Sequence, residues 1–125
     1  MSALPTVLVV DDEPFIGRVV RLVLEDAELA RVVVARTAAE LWQYLETELP
    51  ALILLDILLP DAHGLAILEQ LRDSPRLRSI PVVVMSHITD MQTLREALSI
   101  SDGVLAKPVS ARELVRCVER ILRNA

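Results

Sequence analysis

The chain has 125 residues, 53% of them hydrophobic but only 2% aromatic, with a net charge of −5 and a single cysteine. That length fits one domain spanning 1–125 with a core of its own, and the acidic balance argues against a surface made to bind nucleic acid directly. Cys117 has no partner for an internal disulfide, and no apolar run approaches the roughly 20 residues of a membrane helix; a cytoplasmic protein with no membrane contact is expected.

Val7-Leu8-Val9-Val10 reads as a first buried strand that ends at Asp11-Asp12-Glu13. Pro14 suits the first turn of the next helix, where Ile16, Val20, Val23, Leu24 and Ala27 share one face. Val32-Val33-Val34 centres a second strand. Thr37 and Glu40 then form a capping box ahead of a helix through Leu41, Trp42 and Leu45.

Leu52 to Leu55 is aliphatic throughout, as suits a strand buried on both faces, and it closes on Asp56. Pro60 and Gly64 break the chain before a third helix carried by Leu65, Leu68 and Leu71. Ser74-Pro75 stops that helix. Val82 to Met85 is a fourth strand ending at Ser86, and Met91, Leu94 and Leu98 mark a fourth helix. Thr93 and Glu96 also match the capping-box spacing, but inside that helix. Val104 to Ala106 is a short fifth strand ending at Lys107-Pro108, and Ser110 with Glu113 caps a last helix through Leu114, Val118, Ile121 and Leu122. Cys117 packs in this helix, with no motif around it to make it a nucleophile.

Five strands alternating with helices predict a doubly wound α/β domain: a parallel sheet, helices on both faces, right-handed crossovers. Ligands in such sheets bind outside the carboxyl ends of the strands. Asp11 and Asp12, Asp56, Ser86 and Lys107 all fall at that edge. Carboxylates sharing one edge repel unless a cation sits among them, and hard oxygen donors with room for water favour Mg²⁺. Neither His63 nor His87 has the spacing of a metal ligand, so both read as loop histidines. Mg²⁺, an ammonium and a hydroxyl beside a carboxylate are what phosphoryl transfer needs, with Asp56 as nucleophile and Asp11 and Asp12 as metal holders. The plainer reading, acids that merely cap helix N-termini, accounts for each residue singly but not for all of them at four strand ends.

With these residues in place the chain resembles the receiver domain of two-component response regulators. The resemblance rests on Val7 to Pro14, Asp56 to Pro60 with Gly64, Ser86, and Lys107-Pro108. It implies a flavodoxin-like fold with strand order 2-1-3-4-5 and a phosphoryl group taken onto Asp56 from a phosphohistidine of a sensor histidine kinase or histidine phosphotransfer protein. It implies Mg²⁺ bound by Asp12, Asp56 and the Leu58 backbone carbonyl, with Asp11 acting mainly through water. Ser86 and Lys107 would hold phosphoryl oxygens, and the Lys107-Pro108 peptide would be cis. Such a domain turns over only its own phosphate and signals through the fourth helix, fifth strand and fifth helix to regulate an effector, either as a free-standing unit or as part of a larger protein.

Three positions depart from the family pattern. Val104 stands where an aromatic residue is usual, His87 replaces a small residue after Ser86, and His63 stands where Asp is common. Leu58 and Ile88 flank the expected path of a hydrolytic water and cannot hydrogen-bond it, which predicts slow dephosphorylation. Two other readings compete: a pseudo-receiver that binds partners without phosphate, and a haloacid-dehalogenase-type phosphatase. The second lacks its Asp-x-Asp motif, because Leu58 stands two residues after Asp56. Arg112, Glu113, Arg116 and Glu119, with Asp102 nearby, offer a charged homodimer face.

Overall fold

The computed structural model describes residues 3–87 and 91–124. Along them run β1 (Thr6–Val10), α1 (Pro14–Asp26), β2 (Arg31–Ala35), α2 (Ala38–Leu45), β3 (Leu52–Asp56), α3 (Gly64–Asp73), β4 (Val82–Ser86), α4 (Met91–Ile100), β5 (Gly103–Ala106) and α5 (Ala111–Arg123). All strand pairs are parallel, in the order β2-β1-β3-β4-β5. Chain progression reverses between β1 and β3, so the two acidic strand ends flank the switch point, where a doubly wound sheet leaves a crevice.

Alternation along the strands divides the core into two layers. Val7, Val9, Leu52, Leu54, Val83 and Met85 face α1 and α5, packing on Val20, Leu24, Leu114 and Val118. Leu8, Val10, Ile53, Leu55, Val82 and Val84 face the other way, onto Leu41, Leu45, Leu68, Leu71 and Ala97 of α2, α3 and α4. β3 is buried along its whole length, as its unbroken aliphatic run requires. Cys117 is buried in the first layer, and burial raises its thiol pKa, which leaves it inert packing.

Two of the three box patterns cap helices. The Glu40 amide donates to Thr37 Oγ1 and the Glu113 amide to Ser110 Oγ, each at 3.1 Å. The reciprocal bond differs from the expected form: Glu40 Oε1 accepts from the Arg36 amide, one residue before the cap, at 3.2 Å. Thr93 lies inside α4 and is no cap. On that helix Leu94 is half-buried as expected, but Leu98 is exposed while Ala97 carries the buried contact; the Met91 side chain lies outside the described residues. Ala27, expected on the buried face of α1, is its exposed C-cap instead.

At the opposite edge of the sheet from the acids, Arg72 closes the structure. Its guanidinium donates to the carbonyls of Ile100, Arg78 and Ile80 at 2.8–3.0 Å and to Asp102 Oδ2 at 2.8 Å. Asp102 Oδ2 also accepts from the Val82 amide. Asp102 is thus engaged within its own chain, with its side chain still 42% exposed. Arg112, Glu113 and Arg116 of the charged face expected for a dimer are exposed on α5.

Candidate functional site

Each acid reaches the crevice because its strand ends there. Asp11 follows β1 directly and is buried, with Oδ1 accepting from the Glu13 amide at 2.9 Å. Asp12 is exposed beside it. Asp56 is the last residue of β3, and its Oδ1 accepts from the Leu58 amide at 3.4 Å. One carboxylate oxygen from each of Asp11, Asp12 and Asp56 lies within 4.8 Å of the others.

Lys107, carried in from the end of β5, is buried to its tip. Its Nζ lies 2.7 Å from Asp11 Oδ2, 3.3 Å from Asp56 Oδ2 and 3.7 Å from Glu13 Oε1. The expected cis peptide between Lys107 and Pro108 is present. Burial works to lower the Lys107 pKa, but its contacts with Asp11, Asp56 and Glu13 outweigh it and the net shift is upward. Asp56 is also shifted upward, first by burial and then by the charge of Asp11, with Lys107 and the Leu58 amide opposing. One ammonium therefore does not neutralise the cluster. Asp11 Oδ2 is buried, with the Lys107 ammonium as its partner at 2.7 Å. Three carboxylates converging on one ammonium, all hard oxygen donors, fit a small divalent cation such as Mg²⁺.

These groups line a cleft of about 240 Å³. Its polar end holds Asp12, Glu13, Asp56, Ser86, His87 and Lys107, and its apolar end runs to Val84, Ala97 and Val104 beneath α4. Ser86 Oγ donates to the His87 carbonyl at 3.3 Å, so the hydroxyl sits at the cleft without being committed to Asp56. Val104 is half-buried at the place where the resemblance leads one to expect an aromatic ring. Leu58 is 70% exposed at the lip. Ile88, the other residue expected along the path of a hydrolytic water, lies outside the described residues.

His63 is more than a loop histidine. It is the N-cap of α3, with Nδ1 accepting from the Leu65 amide at 3.2 Å. Gly64, next to it, must be glycine: a Cβ there would stand 2.7 Å from the Asp56 carbonyl oxygen and from Ile57 Cα. Two contributors escape sequence reading. Glu13 reads with the acids but not as a neighbour of Lys107, and Asp61 carries no sequence signal, although its carboxylate accepts from the amides of Ala38 and Ala39 at 2.8 and 3.0 Å.

The family model of the response regulator receiver domain matches residues 7–119. The response regulator Rre1 of Synechocystis is 36% identical over 95% of this chain, which spans 50% of that protein. An uncharacterised 14.6 kDa protein of Leptolyngbya boryana is 35% identical over 91% of the chain and 87% of its own length. Among solved structures, a response regulator described as putative from Chloroflexus aurantiacus superposes with a TM-score of 0.89 at 28% identity, covering 97% of this chain and 99% of that one. No helix among the described residues is long and apolar enough to cross a membrane. With its acids at the ends of β1 and β3, its lysine at the end of β5 and its strands in this order, the chain belongs to the receiver domains of two-component response regulators.

Proposed function

We propose that Asp56 is the phosphoacceptor of this receiver domain and that Asp11, Asp12, Asp56 and the Leu58 backbone carbonyl hold Mg²⁺ beside it. The observation that carries the reading is Asp56 itself, a buried carboxylate at the end of the central strand with a lysine ammonium 3.3 Å away and two further acids converging on it. Bound Mg²⁺ would supply positive charge to the phosphoryl oxygens. The chain supplies the rest. The Leu58 amide and Lys107 hold the two Asp56 oxygens in a fixed plane. One of them forms a P–O bond as the P–N bond of a phosphohistidine breaks and the donor imidazole leaves. Lys107 then neutralises a phosphoryl oxygen, and the Ser86 hydroxyl donates to another.

The donor is a sensor histidine kinase or a histidine phosphotransfer protein, and the only turnover is the domain's own phosphate. Incubation with acetyl phosphate and Mg²⁺ tests this by intact-mass spectrometry. One phosphoryl group should be gained by the wild type and none by Asp56→Asn. No gain would favour a binding module that works without phosphate. Release of phosphate well beyond one equivalent on the timescale of labelling would favour a phosphatase.

A further inference from the structure

We propose that Asp61 is a positioning residue that ties the N-terminus of α2 to the cation-binding end of the sheet. The proposal rests on the reading of the Mg²⁺ site given above. Residues 57–64 form a closed turn: the Gly64 amide donates to the Ile57 carbonyl and the Leu59 amide to the Ala62 carbonyl at 3.2 Å, the two bonds that pair Leu58 with His63 as an antiparallel bridge. A turn closed by two hydrogen bonds between its arms transmits a displacement of its tip to its base.

At the base, Leu58 supplies the amide that orients Asp56 and the carbonyl assigned to the cation. At the tip, Asp61 leaves its own element and takes the amides of Ala38 and Ala39, more than 20 residues away in sequence. The Thr37 hydroxyl satisfies only the third donor of α2, that of Glu40. Asp61 thus completes the cap from outside, where negative charge is favoured by the exposed amides and the helix dipole. The Ala38 and Ala39 amides hold its carboxyl below the usual range. Coupling of this kind is reciprocal: whatever loosens the cap loosens the ligand, and cation binding firms the start of α2.

The test uses the sole tryptophan, Trp42, which lies on α2 and is half-buried. Wild type, Asp61→Ala and Asp61→Asn are titrated with Mg²⁺ while Trp42 fluorescence and Tm are followed. The rate of phosphorylation by acetyl phosphate is measured across the same Mg²⁺ range. Asp61→Ala should raise the Mg²⁺ dissociation constant by roughly threefold to tenfold, as loss of a group that orients a ligand does. Its rate at saturating Mg²⁺ should stay within about twofold of wild type, because Asp61 touches no reacting atom. Asp61→Asn, with one acceptor oxygen left, should fall between.

A lower Tm with an unchanged Mg²⁺ dissociation constant would reduce Asp61 to a structural cap and overturn the proposal. A rate loss that saturating Mg²⁺ does not repair would overturn it as well. Failure of the wild type to bind Mg²⁺ overturns the reading of the site and the proposal together, whereas equal binding by wild type and Asp61→Ala sinks the proposal alone.

Discussion

Lys107 Nζ lies 2.7 Å from Asp11 Oδ2 and 3.3 Å from Asp56 Oδ2, so the ammonium is held more closely by the neighbour of the proposed phosphoacceptor than by the phosphoacceptor itself. A cation so placed keeps the two buried carboxylates compatible with folding while leaving Asp56 the less committed of the pair. The same arrangement makes the site a source of instability when its one ammonium is removed.

Replacing Lys107 with Met leaves Asp11 and Asp56 buried without their counter-ion and should cost about 3 kcal/mol at neutral pH, read from the urea midpoint. The sign with pH follows from the raised Lys107 pKa. Its stabilisation is complete below 10.5 and is lost as pH rises through the folded-state value, so wild type should weaken there while Lys107→Met does not. A midpoint within about 0.5 kcal/mol of wild type at pH 7 would count against the pairing.

Asp56→Asn should stabilise the metal-free protein by about 1–2 kcal/mol at pH 7, a few degrees in Tm. The folded protein holds Asp56 above its ordinary value of 3.8, which means it disfavours the charged form. The wild type therefore loses stability as pH rises from 3.8 through the raised pKa, and the variant does not. Equal melting curves at pH 3 and a gap that opens above it are the expected pattern; a variant less stable at pH 7 contradicts it.

Mg²⁺ should raise Tm in proportion to the logarithm of its concentration above the dissociation constant, by mass action. Asp12→Ala should abolish the rise while changing the metal-free Tm little, because Asp12 is exposed. Identical Tm values for the wild type with and without Mg²⁺ would count against all four proposed ligands.

Gly64→Ala places a methyl group 2.7 Å from main-chain atoms of Asp56 and Ile57, which cannot yield as a side chain can. A loss of about 2 kcal/mol or more is expected, together with weaker Mg²⁺ binding, since the strand end that carries Asp56 has to move. Calorimetry with and without Mg²⁺ measures both. A fully stable variant with intact binding would show that the turn has slack.

Leu58 stands at the lip of the cleft with no group able to orient an attacking water. The phosphorylated protein should keep its label for minutes or longer in Mg²⁺, and Leu58→Asn should shorten that lifetime by about tenfold or more through a positioned water. Decay of radiolabel within seconds in the wild type would refute the first statement.

Periodicity made the order of elements, the helices on both faces of the sheet and the strand-end acids, serine and lysine legible, because buried strands and amphipathic helices leave their pattern in consecutive residues. Asp56 could be placed from Leu52 to Leu55 alone. Partners far apart in sequence left no such mark. Asp61 reads as one more polar loop residue until the start of α2 lies against it, and Arg72 reads as a solvated helix charge until Asp102 and three carbonyls from two separate segments converge on it. The α4 stripe misled for a related reason. Ala97 is buried while the larger Leu98 next to it is exposed, and a spacing rule that counts only large apolar residues passes over the alanine.

The sheet that divides the core also divides what can change. Substitutions in the layer shared by α1 and α5 and in the layer shared by α2, α3 and α4 meet no common side chains, so their energetic effects should simply add. The acids and the lysine hang from strand ends and belong to neither layer. A lineage could therefore remodel the face beneath α4, where Val104 lines the cleft, one mutation at a time, and keep the opposite half of the domain as it was.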